Sequence, residues 1–401
     1  MASEVLEVGI AGKDKLPWAD RVHKRFVVFG ILEIAIGGVI AAMAAYLLAV
    51  TGFHFYEGAI DDQPAAAIVI YVIYVVLVGI AAVLSITVGI RLVMGKVRGA
   101  HLTSEIVCLL LGACALCDLM LDGVTGTFWV FMAAIGLSLL LFDLADPSLA
   151  DERRLQRKLR DMETREEAEE GILGLDHSGK GLVAINFFNV FWIFVVGMVV
   201  GDIVETIYHY MVEVPGEFQV RAGLLWGPFS PIYGFGALLL TFALNRFYRA
   251  NVIIIFLVSA VLGGAFEYFA SWFLEFAFGS VAWDYTGRFL NINGRTDFMF
   301  MCMWGLLGVM WIKVLLPQVV KVINMIPLHW RYTITAVCAA LIAFDIVMTL
   351  LALDSWYLRL AGNATDDVAV TQFFADHFDN AYMEARFQSM TLHPELTSRV
   401  L

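Results

Sequence analysis

Asp202, Glu205 and His209 stand at i, i+3 and i+7 inside the otherwise apolar stretch "VVGDIVETIYHY". On a helix of 3.6 residues per turn that spacing brings all three side chains to one face. Glu267 and Glu275 flank Ser271 at steps of four in a second apolar stretch and define another, gently drifting face. Carboxylates with a single histidine suit three kinds of chemistry. They can ligate Zn²⁺, Mn²⁺ or Fe²⁺. They can relay protons or bind a cation in transport. They can also be purely structural, with Arg288 or Arg295 folding down to neutralise one of them. The residue types alone leave all three open, and no metal or other cofactor is required.

Two further stretches are chemically dense. "VAWDYTGRFLNINGR" at 281–295 packs aromatic, charged and amide side chains between long apolar runs. Trp283 and Tyr285 suit an interfacial belt by themselves; Asp284, Asn291, Asn293 and Arg295 are harder to explain as anchors. "GPFSPIYGFG" at 227–236 combines two prolines without backbone donors and three glycines that permit close approach. Such a segment reads either as a broken helix beside a binding site or as a helix start. Tyr233 would project from it into the bundle. The candidate binding residues are therefore Asp202, Glu205, His209, Tyr233, Glu267, Glu275, Trp283, Asp284, Tyr285, Asn291, Asn293 and Arg295. No catalytic residue is assigned. Glu33, alone in the first apolar run, reads as an interhelical hydrogen-bonding residue.

The elements that position these residues follow from composition. The chain is 60% hydrophobic and 16% charged, well outside the roughly half apolar, quarter charged make-up of soluble domains. Apolar runs at 26–50, 65–90, 102–117, 124–142, 183–201, 229–244, 251–274, 298–316 and 332–353 approach the roughly 20 residues that cross a bilayer as a helix. They do not alternate, which argues against a barrel. The expected fold is all-α, a polytopic membrane protein of about nine transmembrane helices. Lys and Arg recur on alternate sides: Arg21, Lys24 and Arg25; Arg91, Lys96 and Arg98; "DERRLQRKLR"; Arg246 and Arg249; Lys313 and Lys321, with acidic loops between them, Asp118 and Asp122 in one of these. The positive-inside rule then puts the N-terminus inside, the C-terminus outside and residues 281–295 outside. Glu205 and Glu267 fall roughly 12–14 Å below that outer boundary at 1.5 Å per residue.

The expected organisation is a cytoplasmic segment (1–25), a four-helix membrane unit (26–146), a charged cytoplasmic linker (147–180), a five-helix membrane unit (181–355) and an extracytoplasmic amphipathic tail (356–401). No cleavable signal peptide is visible, so the first helix reads as an anchor. The net charge of −12 excludes a nucleic-acid binder. Cys114 and Cys117 spell CxxC within a helical run and read as packing residues. "GLDHSGKG" at 174–181 nearly spells a P-loop, but Gly181 stands where the Mg²⁺-binding hydroxyl belongs and no strand precedes it. The chain carries no ATPase of its own.

"GDIVETIYHY", "GLLWGPFSPIYGFGALLL" and "FEYFASWFLEFAFGSVAWDYTGRFLNINGR" together resemble the putative ABC-transporter type IV family of CmpB-like membrane proteins, over roughly 186–325. Vertebrate transmembrane protein 229 is distantly similar. The resemblance implies a bacterial cytoplasmic-membrane protein of several spans, of permease-like kind. It would bind or move a small solute or lipid-like molecule, with a separate ATPase docking at 147–180. An intramembrane enzyme acting on a lipidic substrate and a non-catalytic scaffold are the alternatives.

Overall fold

The computed structural model describes residues 17–57, 65–95, 100–144, 162, 165–167, 173–176, 179–362 and 369–393. Residues 1–16, most of the charged linker, 363–368 and 394–401 lie outside the described residues. The chain divides into two compact units, Met1–Leu159 with Ser398–Leu401, and Arg160–Thr397.

The first unit contains α1 (Pro17–Glu57), α2 (Ala65–Val93), α3 (Ala100–Asp122) and α4 (Gly126–Leu144), with neighbours in sequence packed side by side. Apolar side chains point both ways along α2. Val69, Val72, Val76 and Val83 are exposed, while Ile70, Tyr74, Val78 and Ala81 are buried. An apolar outer face around a packed interior is what hydrocarbon solvent permits. Asp118, expected in an outer loop, instead lies buried inside α3. Its two oxygens accept from Tyr74 Oη (3.0 Å) and Thr125 Oγ1 (2.8 Å).

The second unit contains α5 (Phe187–Tyr208), extended by a π-turn at His209–Glu213, then α6 (Pro231–Leu244) and α7 (Val252–Phe278). α8 (Phe298–Met310) runs through a π-turn at Trp311–Leu315 into α9 (Leu316–Asn324), and α10 is Leu328–Leu360. Two short helices, α11 (Ala369–His377) and α12 (Asn380–Arg386), follow. β1 (Ser280–Val281) and β2 (Thr391–Leu392) form one antiparallel pair. Ile193, Leu240, Leu244, Ile255, Trp311 and Leu316 make an apolar core at the end that holds the starts of α5 and α7. The polar groups gather at the opposite end.

Among the described residues six helices are long and apolar enough to cross a membrane: Phe26–Val50, Ala65–Val93, Phe187–Val212, Val252–Phe278, Phe298–Asn324 and Trp330–Leu360. The chain is thus mostly helical and polytopic. The other three expected runs are also helices, but α3, α4 and α6 are not among the six. At 14 residues α6 reaches only about 21 Å, because the segment before it is not helical.

The near-P-loop is a small closed turn leading into α5. Asp176 Oδ2 accepts from the Gly181 amide (2.7 Å), and Asn245 Oδ1 accepts from the Leu182 and Val183 amides (both 2.9 Å). Side chains of the protein therefore occupy amides that a phosphate would need.

α7 and α8 approach closely enough that a Cβ on Gly308 would lie 2.3 Å from Ser259 Cβ. Gly308→Ala is expected to cost about 1–3 kcal/mol through overpacking. Gly79→Ala, where an added Cβ meets nothing within 4 Å, should change stability by less than about 1 kcal/mol. Thermal unfolding of the two variants in one detergent checks the contrast.

Candidate functional site

α7 ends where Gly279 turns left-handed at φ 61°. The chain beyond it doubles back on itself: the Tyr285 amide donates to Gly294 O (2.7 Å), and the Ile292 amide donates to Thr296 O (2.8 Å). Asn291 binds both sides of the turn, donating to Arg288 O (2.9 Å) and accepting from the Gly294 amide (3.0 Å). Asp284 Oδ1 accepts from Thr286 Oγ1 (2.6 Å) and the Thr286 amide (2.8 Å). Those bonds, the hydroxyl first, hold the exposed carboxyl below its ordinary range. Leu290 (φ 50°) and Asn293 (φ 53°) are the non-glycine residues at positive φ among those described, and both lie in this turn. Side chains in that region cost free energy that the surrounding bonds must offset. Asp297 caps α8 through the Phe300 amide (2.8 Å) and faces Arg288 at 3.8 Å.

This latch grips α7 at successive turns. Tyr285 Oη and Thr296 Oγ1 donate to the two oxygens of buried Glu267, at 2.9 and 2.8 Å. Tyr285 stacks on Phe300 with ring centroids 4.5 Å apart, and Arg288 lies over both rings. Burial, then the neighbouring Glu267 charge, pushes the Tyr285 phenol up. Arg295 Nη1 pairs with Glu275 (2.8 Å) and donates to Ser271 Oγ (3.2 Å). Trp283 Nε1 donates to Arg295 O (2.9 Å), and Asn293 Nδ2 donates to Tyr268 Oη (3.0 Å). Of the two arginines expected to fold down, Arg295 neutralises Glu275 and Arg288 turns to Asp297. Glu267 is held by hydroxyls, which spare the hydrocarbon a second buried charge.

The second carboxylate has other partners. Arg221 Nη1 lies 3.3 Å from Glu205 Oε1, and the same guanidinium contacts His209 Nδ1. The Tyr233 hydroxyl bonds Glu205 and lies within electrostatic reach of Tyr285. A Cβ on Gly201 would overlap Tyr233 Cβ, so α5 and α6 meet ring against backbone. Asp202 and His209 are buried and Glu205 half-buried, as one inward face requires. Asp202 nonetheless serves a different neighbourhood, near Arg386 of the tail, with Oδ1 lacking a partner. Arg221 was missed from the sequence. Its signal was isolation, since it is the single Lys or Arg between residues 181 and 245. Thr296 gave no signal, because nothing marks a neutral hydroxyl as a carboxylate ligand.

Residues 222–230 are non-helical backbone, with Ala222, Leu224 and Leu225 buried. "GPFSPIYGFG" is thus both things its composition suggested: irregular chain, then a helix whose first turn carries Pro231. Its polar groups find partners from α5, α10 and the tail. The Leu225 and Trp226 amides donate to Thr349 Oγ1 (3.0 Å) and Asp345 Oδ1 (3.3 Å), and the Ser230 amide donates to Met198 O. Arg386 donates to Leu224 O (2.8 Å) and Gly227 O (2.6 Å). Gln388 joins residues 219 and 220, and the His393 amide donates to Gly279 O. The amphipathic tail packs on its own unit, burying Phe374, Phe378, Met383 and Phe387.

Residues 192–350 match the family model described as putative ABC-transporter type IV. The matched stretch holds Glu205, Arg221, Tyr233, Glu267 and the whole latch. With the apolar helices, it supports a membrane protein of permease-like kind. No curated protein and no solved structure matches, so the distant similarity to transmembrane protein 229 gains no support. Among the described residues no group of three or more His, Cys, Asp or Glu is disposed to hold a metal ion.

Arg221→Met should cost about 2–3 kcal/mol, less than a fully buried pair because the Glu205 side chain is 26% exposed. Adding Glu205→Gln should recover more than half of that loss. A double-mutant cycle by thermal unfolding measures both.

Proposed function

We propose that the second unit is the permease-like part of the protein and binds or moves a small solute or lipid-like molecule through a polar site opening outward. In this reading the protein sits in a bacterial cytoplasmic membrane with nine transmembrane helices, N-terminus inside and C-terminus outside. The division is the one expected from sequence, with 26–146 and 181–355 as membrane units. A separate ATPase docks on the charged segment at 147–180.

One observation carries the reading. Every charged partner of Glu205 and Glu275 and both hydroxyl donors to Glu267, namely Arg221, Arg295, Tyr285 and Thr296, come from loops, and Tyr233 of α6 is the helical partner that Glu205 keeps. Loops open at lower free energy than packed helices. A bundle that needed these carboxylates only for rigidity could draw partners from facing helices, as Asp118 draws Tyr74. Partners on loops can withdraw together and expose three carboxylates to an incoming ligand. The complete pairing of Glu267 also favours a second reading, a static scaffold whose latch never opens.

Two measurements separate these. Ser271→Cys, in a background without the native cysteines, reports on the space beneath Arg295. A membrane-impermeant maleimide added outside intact cells should label it slowly, and about ten-fold faster when Arg295→Gln weakens the latch. Mass spectrometry of molecules retained by protein purified in native lipid should show a species lost in Glu205→Gln/Glu267→Gln. Absence of labelling in every folded variant, with nothing retained, establishes the scaffold.

A further inference from the structure

Glu33 plays no part in the site above. It lies in α1, in the other unit, and is 4% exposed. The packing of α1 on α2 fixes what surrounds it. A Cβ on Gly30 would lie 2.6 Å from Gly89 O, and one on Gly37 would lie 3.1 Å from Ser85 Cβ. The two helices are therefore antiparallel and almost in backbone contact. Glu33 falls between Gly30 and Gly37 on that same stripe, at i+3 and i−4. Ser85 is one turn from Gly89 on the opposing stripe. Ser138 of α4 stands beside the Glu33 carboxyl from a third helix. Ser85 is 0% and Ser138 2% exposed. Ser138 Oγ lies near enough to the Glu33 carboxyl to interact with it, but no hydrogen bond of good distance and angle forms there, and Glu33 Oε2, Ser85 Oγ and Ser138 Oγ are each left without one.

Three unsatisfied polar atoms from three helices, buried within one membrane bundle, are costly unless something binds them. No described side chain supplies a counter-charge. On α2, Tyr71 bonds Leu47 O, Tyr74 bonds Asp118, and Arg91 lies off the Ser85, Gly89, Leu92 stripe. On α1, Tyr46 is exposed, and Gly126–Ser138 of α4 holds no ionisable group. Within unit 1 the contrast is Asp118, where each oxygen has its own hydroxyl donor.

We propose that Glu33, Ser85 and Ser138 form a buried site for one exchangeable monovalent cation, a proton or a sodium ion. The charge count selects monovalent: one carboxylate plus one such cation is neutral, whereas a divalent ion would leave a net positive charge in hydrocarbon. The donors are all oxygens, which suit a hard ion.

The test uses the full-length protein in lipid nanodiscs and N,N′-dicyclohexylcarbodiimide, an apolar reagent that adds to protonated carboxyl groups. Adducts are located by peptide mass spectrometry over about pH 5 to 9. Glu33 should be modified, at a rate that falls by up to about ten-fold per pH unit on the alkaline side of its midpoint. If sodium is the occupant, NaCl should slow labelling by about ten-fold relative to choline chloride at saturating concentration. If the proton is the occupant, the two salts give the same curve. Ser85→Ala and Ser138→Ala should move the midpoint or the sodium dependence, while Glu33→Gln removes the adduct. A Glu33 adduct that forms equally fast at every pH and in either salt overturns the proposal, because a permanently protonated structural carboxyl behaves that way. A Glu33 that never reacts, while other buried carboxyls do, overturns it too. Both outcomes are read on the wild-type chain, so a variant that fails to fold does not affect them.

Discussion

A carboxylate in hydrocarbon must be neutralised or fully hydrogen-bonded, and this constraint shapes the end of the second unit where α5 and α7 finish. A single unpaired acid near the bilayer centre costs about 3 kcal/mol even on insertion scales. Glu205 and Glu267 are therefore not passengers on their helices. They dictate that something polar descend to meet them, and the structure supplies it from two loops of different construction. The 281–297 latch is rigidified by its own amides and carboxyls, so that Tyr285 and Thr296 arrive in place with little further ordering. The loop before α6 delivers Arg221, a charge for a charge.

Irregular backbone beside apolar helices creates the same problem again, because each unpaired amide or carbonyl must find a partner inside the protein. The 222–230 segment meets it with Thr349 and Asp345 of α10, Met198 of α5 and Arg386 of the tail. This explains why the tail packs rather than spreading on the membrane surface. Arg386 satisfies two carbonyls that no earlier start of α6 could have bonded, because the residues four positions on, Pro228 and Pro231, have no N–H. The short α6 and the docked tail are one structural decision, and the β1–β2 pair ties that decision to the foot of the latch.

Much of this was legible in the sequence. Apolar run lengths located the helices, and the i, i+3, i+7 pattern put Asp202, Glu205 and His209 on one inward face. The density of turn formers at 281–295 marked a built loop. What could not be read was pairing. Whether Arg295 reaches Glu267 or Glu275 depends on how Gly294 and Asn293 turn the chain, and both lie at positive φ. Whether Glu205 pairs with a residue after Gly279 or before Gly227 depends on which loop folds over which helix, and no local pattern encodes it. Asp118 looked like a loop acid because charge alternation counts residues without knowing where α3 ends.

A regularity across the two units sharpens the point. Asp118 and Glu267 sit in different helices, yet each takes one tyrosine and one threonine hydroxyl, one on each carboxylate oxygen. This arrangement saturates the acid without importing a second charge, and the desolvation of neutral hydroxyls is far cheaper than that of a guanidinium. It is a stable way to keep an acid in a membrane for as long as the donors stay in place, and those of Glu267 both sit on the latch loop. Glu205 departs from it by taking an arginine from a loop. Glu33 departs further, with an oxygen that no donor meets in hydrogen-bonding geometry. A fold able to saturate acids with hydroxyls leaves acids unsaturated where an exchangeable partner is part of the work. The departures from the hydroxyl pattern, rather than the buried acids as a class, are therefore where function is to be sought.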